Sequence, residues 1–176
     1  MRAFVAVFPP PEIQNALIEA ARALPTDAFR LTAPERVHLT LKFLGEVQPG
    51  DLHRLIQALD RMGLHGAPFD ASTSGFGVFP SARRARVLWA GIGAGTEDFV
   101  SLARAVEDLL EPEGYGPEDK PFVPHLTLGR ARRPVPFDPS ATVLPELRFP
   151  VREVALVQSR HEPSGLTYSS LAEYRL

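Results

Sequence analysis

The sequence predicts an α+β protein, with strands outnumbering helices and mostly antiparallel pairing. Three observations carry that expectation. Short apolar, β-branched and aromatic runs bounded by Pro and Gly recur along the whole chain. Three longer segments show apolar residues at helical spacing. The tetrapeptide His-Leu-Thr-Leu occurs twice, at residues 38 and 125, which is about half of the 176-residue length apart and suggests a duplicated unit with pseudo-two-fold symmetry.

Taken in order, residues 2–8 read as a strand halted by Pro9-Pro10-Pro11. Proline is tolerated at a helix start, so Pro10-Pro11-Glu12 opens a helix with Ile13, Ala16, Leu17, Ala20 and Leu24 on one face. Residues 37–44 read as a strand. Asp51 is the expected N-cap of a second helix carrying Leu52, Leu55, Ile56 and Leu59. Residues 69–79 form a long strand in which Gly75 and Gly77 signal a bulge or a close backbone approach. Residues 86–92 are the next strand, with the only tryptophan, Trp89. The third helix is expected from about Thr96 to Leu110, with Phe99, Leu102, Ala103, Val106 and Leu109 inward. A loop over 111–124 leads to a strand at 125–130 and a second proline-rich loop. Residues 154–159 and 168–176 close the chain as a hairpin turning at Glu162-Pro163-Ser164-Gly165.

Composition narrows the function classes. The chain has no cysteine, so disulfides and thiolate metal sites are excluded. It has no apolar run near the ~20 residues of a membrane span, and its N-terminus lacks a signal-peptide pattern. A cytoplasmic protein is expected. The formal net charge of −2 gives no global field for nucleic acid. Basic charge is local instead, at Arg83, Arg84 and Arg86 and at Arg130, Arg132 and Arg133, clusters that taken alone read as solvated faces.

The repeated tetrapeptide carries the chemistry. Eight threonines in 176 positions give any one histidine about a 1 in 22 chance of a Thr two residues on, so a duplicated His-x-Thr is informative where a single one is not. Strand side chains alternate faces, so His38 and Thr40 share one face, as do His125 and Thr127, while the leucines turn toward a core. Two imidazoles and two hydroxyls lining one cleft suit in-line displacement at phosphorus. One neutral imidazole takes a proton from water, and the other, protonated, gives one to the departing oxygen. The threonines would hold the non-bridging oxygens. Zinc would need more converging ligands than these motifs supply. No G-x-S-x-G elbow is present, and Gly91-Ile92-Gly93-Ala94-Gly95 lacks the ending of a phosphate loop and reads as a turn.

The segments His38-Leu39-Thr40-Leu41-Lys42-Phe43-Leu44-Gly45 and Pro124-His125-Leu126-Thr127-Leu128-Gly129-Arg130 resemble the two HxTx motifs of the two-histidine phosphoesterases, most closely the RNA 2′,3′-cyclic phosphodiesterases also called 2′-5′ RNA ligases. The Arg2-Ala3-Phe4-Val5-Ala6 start, Pro34-Glu35, Val87-Leu88-Trp89 and the Ser159…Pro163-Ser164-Gly165…Tyr168 segment extend the likeness over most of the chain. The resemblance implies one bilobal domain over residues 1–176, with two antiparallel sheets flanked by helices around a central cleft. It implies hydrolysis of 2′,3′-cyclic phosphate ends of RNA or nucleotides to 2′-phosphates, without cofactor or metal. By the same resemblance His38 is the proton donor, His125 the proton acceptor, and Thr40, Thr127 and Arg130 bind the phosphate. Reverse 2′-5′ ligation at the same site is implied too, and a monomer is expected. A cyclic phosphodiesterase of small nucleotides and a non-catalytic nucleotide-binding module are the competing readings. His161 departs from the common pattern, in which an apolar residue precedes the final turn, and is expected on an exposed loop.

Overall fold

The first strand decides the plan of the molecule. β1 (Arg2–Val7) is buried on both faces apart from its first residue, and it lies between β3 (Leu39–Glu46) and β8 (Glu153–Glu162). With β9 (Gly165–Arg175) these strands form a four-stranded sheet in the order β3-β1-β8-β9. The second sheet has five strands in the order β2-β6-β5-β4-β7. They are β2 (Phe29–Leu31), β4 (Phe69–Phe79), β5 (Ala85–Ile92), β6 (His125–Val135) and β7 (Arg148–Val151). All pairings are antiparallel. This computed structural model describes residues 1–163 and 165–176. The expected turn residue Ser164 lies outside the described residues.

Three α-helices bury the outer faces of the sheets, and two of them cross over. α1 (Pro11–Arg22) follows β1 yet lies against β2 and β6, whereas α3 (Thr96–Leu110) follows β5 yet lies against β3, with α2 (Leu52–Leu59) beside it. Each sheet is thus covered by a helix grown from the other. One apolar core runs through both, from Val5, Leu39 and Leu156 to Leu88, Leu126 and Phe149.

The helices begin and end close to their expected bounds, and two details differ. The buried residues of α1 are Gln14, Leu17, Ile18 and Ala21, so its inner face is turned by about one residue from the aliphatic pattern. Gln14 fixes that turn, because its buried Nε2 donates to the Val37 carbonyl at 2.8 Å and is thereby satisfied. Asp51 holds the N-cap place of α2 without capping it. Its carboxylate accepts from Arg54 at 2.6 Å instead.

Strands β2 and β7 have no expected counterpart. At three and four residues they are too short to display an alternation. β6 also outruns its expected end at Arg130 and continues to Val135 through Pro134. There it bulges away from β5, since Ala85 pairs with Val135 and Val87 with Arg130, so Pro134 breaks no ladder bond.

Gly75 and Gly77 prove to be different devices. Gly75 has φ +138° and sits at a register shift in β4. Gly77 leaves room for an aromatic ring, since a Cβ there would lie 2.1 Å from Trp89 Cζ2. Of the segment expected as a turn, Gly91 and Ile92 end β5 and pair with β4, and only Gly93–Gly95 turn into α3, with Gly95 at φ +86°.

Candidate active site

His38 and His125 are held in the same way. His38 immediately precedes β3, and its Nδ1 lies 2.7 Å from the carbonyl of Arg36. His125 opens β6, and its Nδ1 lies 2.7 Å from the carbonyl of Val123. A carbonyl oxygen only accepts, so both Nδ1 atoms carry the proton and donate it. The neutral tautomer is therefore fixed at both residues, leaving each Nε2 as the atom free for chemistry. The Thr40 hydroxyl lies 3.1 Å from His38 Nε2 and donates to it while His38 is neutral.

Aromatic rings wall both imidazoles. His38 stacks on Phe4 at 4.8 Å between centroids and meets Phe8 and Tyr168 each at 5.3 Å. His125 meets the edge of Phe79 at 5.1 Å and Trp89 at 6.1 Å. The indole N–H of Trp89 is buried without a partner, the one such side-chain atom among the described residues.

The two strands carry the same irregularity three residues past the histidine. In β3, Thr40 pairs with Ala6 and Lys42 with Val5, so Leu41 is an extra residue. In β6, Thr127 pairs with Trp89 and Gly129 with Leu88, so Leu128 is the extra residue. Strict alternation would turn Lys42 and Gly129 toward the histidines. The two bulges place there instead the residue five past each histidine. Phe43 is accordingly 63% exposed on the Phe4 side, while Lys42 is 2% exposed on the other and donates to the Gly116 carbonyl at 2.6 Å. Arg130 is the corresponding residue of β6. It was reached in the sequence only by resemblance, and the bulge is the physical reason it shares a face with Thr127.

Electrostatics ties these groups into one groove. Burial lowers the His38 pKa to about 4, with smaller contributions in the same direction from the charges of His125 and Arg130. Burial likewise lowers that of His125, assisted by Arg130. Burial raises the phenol of Tyr168, with Arg36 and Arg130 acting against the rise. The charge of Arg130 therefore bears on His38, His125 and Tyr168 alike, and β3 touches β6. Both imidazoles are predominantly neutral near pH 7.

Most other expected features lie elsewhere. Arg83, Arg84, Arg86, Arg132 and Arg133 are exposed on the second sheet and its connections. His161 is exposed near the β8–β9 turn, within a strand rather than a loop. Among the described residues no three His, Asp or Glu side chains converge as a metal-ligand set, and no helix is long and apolar enough to cross a membrane. Phe43 and the ring walls were missed in the sequence. The signal for Phe43 was present in its place five residues after His38, where the other copy has Arg130 five residues after His125.

Two antiparallel sheets that bring a His-x-Thr strand from each half to one groove define a duplicated two-histidine architecture. The chain matches the family model described as the 2′-5′ RNA ligase superfamily over residues 9–163, and it belongs to that superfamily. The RNA 2′,3′-cyclic phosphodiesterase of Thermus thermophilus is 39% identical over 183 residues, covering 100% of this chain and 90% of that protein. The enzyme of the same name from Methanothermobacter thermautotrophicus is 38% identical, with 84% and 82% covered. Among solved structures, TT0787 of Thermus thermophilus superposes with TM-score 0.86 at 37% identity, over 100% of this chain and 98% of that one. Escherichia coli LigT complexed with 3′-AMP gives 0.82 at 26% identity, over 100% and 98%.

Proposed function

We propose that this chain is an RNA 2′,3′-cyclic phosphodiesterase that opens the cyclic ester to a 2′-phosphate by general acid–base catalysis with two histidines. The relatives that match most of the chain bear that name. The observation that carries the mechanism is the matched tethering of the two imidazoles, each with Nδ1–H spent on a backbone carbonyl and Nε2 left for proton transfer.

In this reading the phosphodiester anion sits between Thr40, Thr127 and Arg130 and raises the proton affinity of the adjacent imidazoles, offsetting burial. Neutral His125 takes a proton from water through Nε2 as the water oxygen bonds to phosphorus. His38, protonated at Nε2, delivers its proton to the 3′ oxygen as the P–O3′ bond breaks. Thr40 then changes role. Its hydroxyl, donated to His38 Nε2 while that nitrogen is unprotonated, turns to a phosphate oxygen once the nitrogen carries a proton. A 5′-hydroxyl in place of water would give a 2′-5′ linkage by the same steps. The exposed ring of Phe43, on the His38 side, offers a face on which a base can stack.

The test is conversion of 2′,3′-cyclic AMP to 2′-AMP in excess EDTA. His38→Ala and His125→Ala should each lower turnover by ~10²–10⁴-fold. Retention of more than about a tenth of the activity by either would remove that residue from the mechanism. The roles separate with a substrate whose leaving oxygen is replaced by sulfur, which departs without a proton. That substrate should rescue His38→Ala and leave His125→Ala inactive. Phe43→Ala should weaken nucleotide binding by about 1–3 kcal/mol, read as a raised KM.

A further inference from the structure

We propose that Arg30 is a second phosphate-binding residue of the groove, taking the phosphodiester on the 5′ side of the terminal ribose, so that the site reads an RNA strand rather than a lone nucleotide. The inference rests on the cyclic phosphodiesterase reading and deepens it.

Arg30 is the middle residue of β2, directly opposite Arg130 in β6. Directly opposed residues of an antiparallel pair project from the same face. The neighbouring pair, Phe29 and Ala131, is buried, so Arg30 and Arg130 point together away from the core and both are exposed. Like charges facing each other across a ladder cost stability. Among the described residues neither guanidinium is paired with a carboxylate. Two adjacent unpaired guanidiniums on the rim of a groove are offset by anions, and a nucleic-acid strand brings one at each nucleotide.

Position divides the work between them. Arg130 lies on β6, the strand that carries His125 and Thr127, whereas Arg30 lies on the edge strand β2 outside it, so Arg130 belongs to the reacting phosphate and Arg30 stands one step outward. That step is a single cross-strand spacing, of order 5 Å between backbones. It suits the next phosphate of a strand whose cyclic end lies at the histidines. A mononucleotide cyclic phosphate has no such group and would leave Arg30 unused. Arginine fits the task, since its planar fork grips two phosphate oxygens at once.

The test compares kcat/KM for 2′,3′-cyclic AMP and for the dinucleotide ApA ending in a 2′,3′-cyclic phosphate. The wild type should favour the dinucleotide. Arg30→Gln should lower the dinucleotide-to-mononucleotide ratio about tenfold, the scale of one charge-assisted contact. It should also reduce the salt slope of the dinucleotide reaction by about 0.7, the share of one phosphate on a single strand. Arg30→Lys should keep that slope and recover part of the ratio. Because the substitution removes one of two opposed like charges, Tm should not fall. An unchanged ratio in Arg30→Gln, with both substrates turned over, overturns this inference and leaves the function standing. A wild type inert on both substrates overturns the reading of the site, and this inference with it.

Discussion

His38 has a fold role beyond its proposed chemistry. Its ring fills a slot between Phe4, Phe8 and Tyr168, and the cost of charging it there is what lowers its pKa to about 4 from an ordinary 6.5. Between those values the unfolded chain binds a proton that the native one refuses. Stability is therefore complete above pH 6.5 and is lost as pH falls toward 4, by about 3 kcal/mol from this residue. His125 acts in the same direction. His38→Phe keeps a ring in the slot and removes the titration. Urea unfolding at pH 7 and pH 4.5 should show the wild type losing about 2–3 kcal/mol more than this variant over the interval. Equal losses would show that His38 is not the depressed group. At this scale the sequence was informative about residue type and silent about surroundings. The His-x-Thr repeat singled out four groups, but Phe4 in β1, Phe8 just past its end and Tyr168 in β9 meet at His38 only on folding.

Among the elements, the paired bulges decide what faces the groove. Period-two alternation correctly puts His38 with Thr40 and His125 with Thr127, then fails at the next residue of both strands. A bulge is a mismatch in count between two partners, so it is invisible until the partners are known. Gly77 shows the complementary case, where the glycine was legible and its reason was not. Trp89 lies over the bare Cα of Gly77 and forms part of the wall at His125. Gly77→Ala should cost about 1–3 kcal/mol through the collision and lower turnover as the indole shifts. Adding Trp89→Leu should recover much of that stability. Denaturant unfolding of the two single variants, the double and the wild type gives the coupling energy, and a value near zero would mean that the ring does not set the glycine.

At the level of the whole molecule, the two sheets are held in register by a few long-range ties. Lys42 of β3 reaches Gly116, in the connection that leads to His125, and lies 3.6 Å from Glu107 of α3. Within the first sheet, Arg36, whose carbonyl holds His38, donates from its side chain to the Leu166 carbonyl of β9 at 2.7 Å. The crossed placement of α1 and α3 adds to the tie. Lys42→Met should cost about 1.5–3 kcal/mol, the range for a hydrogen bond to a charged group. It should also speed amide exchange over residues 114–124 and lower turnover. Exchange unchanged in that segment would show that Lys42 does not hold it. The sequence displayed the α+β class, three helices and most strands, because those depend on local periodicity. It concealed the helix crossing and the edge strands β2 and β7, because those depend on contacts between distant residues.

The matched bulges also bear on ancestry. Two separate copies of one half-length chain, meeting around a symmetric groove, would present the same side chain at both positions five residues past the histidine. Only after fusion into one polypeptide can one position keep a ring, Phe43, while the other keeps a guanidinium, Arg130. A symmetric ancestor would have met both ends of its substrate with identical surfaces. In the proposed reading the fused chain would distinguish base from phosphate, and with that difference acquire a direction along the strand it holds.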